Sequence, residues 1–320
     1  MRFMKFIALA AAATLMASTA SAQVVGMATA KGGWTSQAGA AISKLMSTTG
    51  GMQMRQQTSA GSSVYVPQVS GGQIEFGLAN EQEARDAVTG TGIYKGRAQP
   101  DLRIGAVLSP FRVAIFSKKG SDIKTVKDLK GKRVPSGWAS QKIIQTLMDA
   151  ELANAGLTYD DVIKVPTANV VGSADDFAAG KVDVFFFVLT AGKVKETDAK
   201  VGGIQVVGID DSPAAVARMQ KILPPSYATG LKPSKALVGV VEPVNVMAYD
   251  YLLLTNAKVS DDMVYKVVKT MADNKPDLVK TFPGMGLFDP KRLSKPIPGV
   301  KFHDGAIKYL KEIGQWPPKS

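Results

Sequence analysis

Val24-Val25-Gly26-Met27-Ala28 runs into Thr29-Ala30-Lys31-Gly32-Gly33-Trp34-Thr35-Ser36, and residues 37–48 follow. The first stretch reads as a short buried strand and the second as a Gly-rich polar loop. The third carries Ala41 with Leu45, and Ile42 with Met46, at the i,i+4 spacing of one helix face. Gly50-Gly51 ends that helix. The pattern then repeats. Residues 52–57 are a second strand, Thr58-Ser59-Ala60-Gly61-Ser62-Ser63 a second polar loop, and a helix runs on to Ser70. Residues 74–80 are a third strand and residue 81 opens another helix. Strand, loop and helix in this rhythm imply parallel βαβ units rather than a sandwich.

Further along, residues 102–108 and 111–117 read as two adjacent strands, and Lys118-Lys119-Gly120-Ser121-Asp122 as a turn. The rhythm restarts there. It gives a short helix over 123–129, a strand over 132–135, the loop Ser136-Gly137-Trp138-Ala139-Ser140 and a helix over 141–155. Strands over 162–165, 182–188 and 203–209 alternate with helices over 173–179 and 212–223. Residues 244–254 form a long strand, 261–274 a helix behind an acidic cap, and 303–314 a terminal helix. A restart in mid-chain predicts two lobes, with residues 111–117 and 244–254 as the crossings between them. The expected fold is α/β and bilobal: a leader over 1–22, one lobe from 23–113 and 250–320, the other from 114–249.

Composition narrows the chemistry. The 320 residues are 45% hydrophobic and 21% charged, which is globular and long enough for two domains. There is no cysteine and a single histidine, His303. Disulfides, thiolate nucleophiles, iron–sulfur clusters and sites needing two imidazoles are thereby excluded. No cofactor and no metal are expected. Arg2 and Lys5 precede the apolar run 6–16 and then Ala20-Ser21-Ala22, the form of a secretory leader cleaved after Ala22. The expected location is the periplasm. The formal charge of +12 does not argue for nucleic acid, since export removes that partner and no aromatic-rich basic motif is present. The seven cations of residues 118–133 read as a solvated face or a docking surface. Gly90-Thr91-Gly92 and Gly96 miss the dinucleotide-binding spacing.

Ligands of open α/β sheets sit at the carboxyl ends of the strands. Three loops fall there, each ahead of a helix whose free N–H groups favour an anion. The candidate residues are Lys31, Gly33, Trp34 and Thr35 in the first, Thr58, Ser59, Ser62 and Ser63 in the second, and Ser136, Trp138 and Ser140 in the third. Asn80 at a strand end and Arg112 at a crossing join them. Each has a plain alternative. The hydroxyls serve equally as helix caps, Lys31 and Arg112 as solvated cations, and Asn80 as a turn residue. Trp34 and Trp138, in loops of opposite lobes, would either sandwich a flat ligand or anchor a core. His303 is expected to start the last helix rather than touch ligand.

Several stretches resemble the solute receptors of TRAP transporters, TAXI family. They are Gly32-Gly33-Trp34-Thr35-Ser36-Gln37-Ala38-Gly39, the 58–63 loop, residues 71–80, and Asp128-Leu129-Lys130-Gly131-Lys132-Arg133-Val134. Gly180-Lys181-Val182-Asp183-Val184-Phe185, Val264-Tyr265 with Asn274-Lys275, and Phe302-His303-Asp304-Gly305-Ala306-Ile307-Lys308-Tyr309 complete the set. The resemblance spans nearly all of the mature chain. It implies a type II periplasmic binding protein that holds a small carboxylate or amino acid between its lobes and delivers it to a membrane TRAP permease. A monomer is expected. The chain departs from the family at Trp34-Thr35-Ser36-Gln37 and at Ser136–Ser140. Two alternatives stay open. An ABC-importer receptor on the same fold differs only in its permease, and a neighbouring gene for an ATPase would mark it. An exported hydrolase needs a nucleophile and base, and no G-x-S-x-G is present.

Overall fold

The computed structural model describes residues 24–318, so the expected leader lies outside the described residues. The chain opens with β1 (Val25–Ala30), α1 (Gly33–Thr48), β2 (Met54–Ser59), α2 (Ser62–Gly71), β3 (Phe76–Asn80) and α3 (Glu81–Thr89). β1 lies between β2 and β3 and is parallel to both. Every residue of β1 and of β3 is buried, as strands covered on two faces require. Helix α1 begins at Gly33, not at residue 37 as the periodicity predicts. Gly32 and Gly33 hold φ of 75° and 71°, a left-handed turn that glycine makes without a Cβ penalty. Trp34 and Thr35 thereby become the first turn of a helix rather than loop residues.

β4 (Leu102–Lys118) is one strand of 17 residues where the sequence predicts two. Ser109-Pro110 does not break it. Pro110 stands opposite Asp250, and the pairing slips one step further on, between Tyr251 and Leu252. Such an irregularity accommodates a residue that cannot donate to the ladder.

The middle of the chain supplies β5 (Arg133–Ser136), α4 (Ile143–Asn154), β6 (Ile163–Pro166), α5 (Val170–Ala178), β7 (Val184–Val188), α6 (Gly192–Val201), β8 (Ile204–Val207), α7 (Pro213–Ile222) and β9 (Tyr227–Leu231). β10 (Val244–Asn256), α8 (Asp261–Asp273), α9 (Lys275–Thr281) and α10 (Asp304–Glu312) close it. Helix α6 escapes a reading by periodicity because it buries only Val194 and Thr197.

Two strands tie everything together. β4 and β10 pair antiparallel from Leu102 opposite Asn256 to Val113 opposite Met247. The C-terminal half of β10 takes β3 as its other neighbour and the N-terminal half takes β9. The C-terminal part of β4 pairs with β7 and β8. Both long strands thus belong to both halves of the molecule, and β5 with β6 forms a separate two-stranded sheet. Among the described residues no helix is long and apolar enough to cross a membrane. His303 caps α10 as expected: its Nδ1 accepts from Gly305 N at 3.1 Å and its Nε2 bonds Val259 O at 3.0 Å.

Candidate functional site

A cavity lies where the two halves face each other, with about 60 Å³ open to the centre of a water-sized sphere. The halves meet around it. The Cβ that Gly61 lacks would collide with the carbonyl oxygen of Ser140, and the one Gly32 lacks would stand 3.6 Å from Val171. Gly192 comes within a similar distance of Gln37. This is a closed arrangement, with lip against lip.

Five helices direct their N-termini at the cavity. Gly33, Trp34 and Thr35 of α1, Ser62 of α2, the Asn80 cap of α3, Ile143 and Ile144 of α4, and Asn169 with Val170 at α5 all line it. Two of these ends are satisfied by side chains. Asn80 Oδ1 accepts from Glu83 N at 2.8 Å and Asn169 Oδ1 from Gly172 N at 2.9 Å. Those of α1, α2 and α4 are not: Gly32 and Gly61 occupy two of the cap positions and have no side chain, and Lys142 at the third makes no cap bond. At α4 the Ile144 and Gln145 amides turn back to Gln141 O and Lys142 O, and at α2 the Val64 amide to Gly61 O, so the amides left for a ligand are the first ones of α1 and those of Ser62 and Ser63. Lys31 adds a cation at the rim. It is the one formally charged side chain lining the cavity among the described residues.

The rest of the wall is apolar. Trp34 stands edge-on to Phe111 at 5.0 Å and to Tyr251 at 5.5 Å, and Phe111 stacks on Tyr251 at 4.4 Å. Trp34 is held by its Nε1–H, which donates to Gly284 O at 3.2 Å. Tyr249 joins this wall, and Phe186, Phe187, Ile144 and Leu147 face it from the other half.

Of the residues proposed from sequence, Lys31, Gly33, Trp34, Thr35, Ser62 and Asn80 line the cavity. The others do not. Thr58 is exposed on the edge strand β2, while Ser59 donates to Gly61 O and Ser63 stands beside Ser62, both half-buried. Arg112 lies between Phe111 and Val113, which both face the cavity, so strand alternation puts it on the other face. It borders an adjoining crevice that shares Trp34, Phe111 and Val188 with the cavity, and its buried Nε has no hydrogen-bond partner. Ser136 is buried and offers its carbonyl to Trp138 N and Thr167 N. Ser140 contributes backbone at the lip. Trp138 is fully buried, with φ of 45°. Its Nε1–H donates to Tyr159 OH at 3.3 Å, and Tyr159 OH to Pro135 O at 2.8 Å. The left-handed turn at Gly137-Trp138 tucks the indole into the core, so the expected pairing of Trp34 with Trp138 across the cavity does not form.

Sequence reasoning missed the aromatic wall. A signal was available: Phe111 with Val113, and Tyr249 with Tyr251, are two apart on crossing strands and therefore share a face. It also missed two acids behind the walls. Glu83, beneath Asn80 and Ser62, accepts from Tyr94 OH at 2.9 Å, and burial pushes its carboxyl up to about 7 against the pull of the Ser62 and Tyr94 hydroxyls. Glu151, one helical turn beyond Leu147, is fully buried with no partner for either oxygen, and burial pushes it up to about 8. Below those values both are neutral and do not repel an anion in the cavity.

Fold and cavity together define a bilobal periplasmic binding-protein architecture. Residues 27–314 match the NMT1-like family, and the chain belongs to that family. In structure it is similar to PhnD1 of Prochlorococcus marinus in complex with methylphosphonate, at 10% identity and TM-score 0.56, over 91% of this chain and 97% of that one. It is similar to a binding protein component of an ABC phosphonate transporter from Pseudomonas aeruginosa, at 11% and 0.53, over 83% and 79%. A ligand-binding component of an ABC-type import system from Staphylococcus aureus, solved with zinc bound, matches at 8% and 0.53, over 93% and 94%. The binding-protein part of the TAXI resemblance therefore stands, whereas its TRAP part gains no support. Segments such as Asp128–Val134 are shared too widely among such receptors to separate the two.

Proposed function

We propose that the protein is a periplasmic solute-binding receptor of an ABC-type importer, and that it closes its two lobes over a small anion without altering it. The observation that carries this reading is the pair of uncapped helix ends, α1 at Gly33 and α2 at Ser62, facing one closed cavity beside Lys31. Free amides at helix N-termini and a cation at the rim suit an anionic head group, with the apolar wall left for the rest of the solute. The phosphonate ligand or transporter named for two of the structural relatives is of the same charge type. Those relatives and the ABC-type import component favour an ABC permease over the TRAP permease as membrane partner. The lobes are those delimited from the sequence, 23–113 with 250–320 and 114–249, and the receptor acts as a monomer. A zinc ligand like that of the third relative has no support, because no group of three or more His, Asp or Glu able to hold a metal occurs among the described residues.

A thermal-shift screen of phosphonates, sulfonates, organic acids and amino acids tests the reading. A solute at 100 times its Kd adds about 2.7 kcal/mol of stability, and mass spectrometry then recovers it unchanged at one per chain. A hit converted to product, or no hit across all four classes, contradicts the reading.

A further inference from the structure

Resting on the receptor reading, we infer that the solute is an aromatic monoanion: a flat ring carrying one carboxylate or sulfonate. Three observations converge. The first is charge. Lys31 is the one formally charged liner among the described residues, and a single cation balances a single negative charge. A second charge on the head group would have to be carried by neutral donors alone.

The second is the shape of the apolar part. Phe111 and Tyr251 stack with their planes 24° apart, and Trp34 braces both edge-on. This wall is rigid. Trp34 is only 3% exposed, is bonded to Gly284 O, and has Phe282 against a further edge at 5.8 Å. From the opposite half Phe187 brings its ring to the start of α1, and Phe186 also lines the cavity. Walls of this kind gain most from a planar partner, by offset or edge-to-face contact worth about 0.5–1.5 kcal/mol a pair beyond area burial. A methyl-sized body would leave them uncovered.

The third is the placement of polar end against apolar end. A Cβ on Gly33 would stand 3.7 Å from the ring of Phe187. An anion on the free amides of the first turn of α1 therefore has its next atoms already beside the edge of an aromatic ring. Head group and ring must be joined directly, without a long spacer. Two of the structural relatives described above are named with phosphonates, so this assignment separates the present chain from those two.

Calorimetry on the mature protein at about pH 9, where methylphosphonate is a dianion, tests it, with benzoate and benzenesulfonate as probes, cyclohexanecarboxylate as the non-aromatic match, benzamide as the uncharged match and methylphosphonate as the small dianion. The expected result is that benzoate or benzenesulfonate binds about tenfold or more tightly than any of the three controls. Lys31→Gln, at an exposed position, is expected to weaken the aromatic anion and leave benzamide unchanged. Trp34→Phe keeps a ring and is expected to weaken binding less than Trp34→Ala, with circular dichroism checking that each variant folds. Equal binding of cyclohexanecarboxylate overturns the ring, and equal binding of benzamide overturns the charge. If methylphosphonate or an aliphatic acid binds and the aromatic anions do not, the inference falls and the receptor reading stands. If nothing in the wider screen binds, both fall.

Discussion

Glu151 is a fully buried carboxyl with no hydrogen-bond partner for either oxygen. An unfolded chain ionises this carboxyl near 4.5, whereas burial holds the native one protonated up to about 8. Between those values the native state binds the extra proton, so stability falls as pH rises, by about 1.4 kcal/mol per unit for this group. Glu151→Leu removes both the titration and two unpartnered oxygens at similar volume. The variant is expected to be more stable than the parent, with a larger gain at pH 8.5 than at pH 5, measured by urea denaturation at each pH. A gain independent of pH would contradict the burial argument. Composition reads Glu151 as a surface acid, yet Ile144, Leu147 and Met148, seven, four and three residues before it, put it on the buried face of α4. His303 was legible, since its place just before Asp304-Gly305 is itself a capping signal.

Helix starts and strand crossings decide the site at the scale of elements. The βα rhythm made the strand ends legible, and with them Lys31, Gly33, Trp34, Thr35, Ser62 and Asn80. The third loop, Ser136–Ser140, reads the same way in sequence but turns its tryptophan inward, because a left-handed residue after Gly137 reverses the side chain's direction. Strand β4 hid its continuity behind Pro110, and with it the alternation that sends Phe111 to the cavity and Arg112 away. Gly61 has a role no loop composition reveals. Its backbone is extended, so a side chain costs nothing locally, yet any Cβ strikes the Ser140 carbonyl across the lip. Gly61→Val is therefore expected to leave the unfolding transition nearly unchanged and to penalise the closed form by about 1–3 kcal/mol, an overpacking cost. Calorimetry with the tightest solute from the screen reads this as about a tenfold or greater loss of affinity. Undiminished affinity would mean that the lips do not meet when solute is bound.

At the scale of the molecule, two strands are common to both halves. On the proposed receptor reading they are the axis of a hinge whose opening admits solute and whose closure brings the amide ends of α1 and α2 toward the second lobe. The chain has no native cysteine, so a pair of introduced thiols can be labelled without interference. Val64 and Lys142 are both exposed and lie on opposite lips, next to Gly61 and Ser140. Spin labels on Val64→Cys and Lys142→Cys report the distance across the mouth by pulsed electron resonance. The account predicts a broad or two-peaked distribution in the free protein that collapses onto its shortest distance when the tightest solute is added. A single distance, the same with and without bound solute, would contradict it.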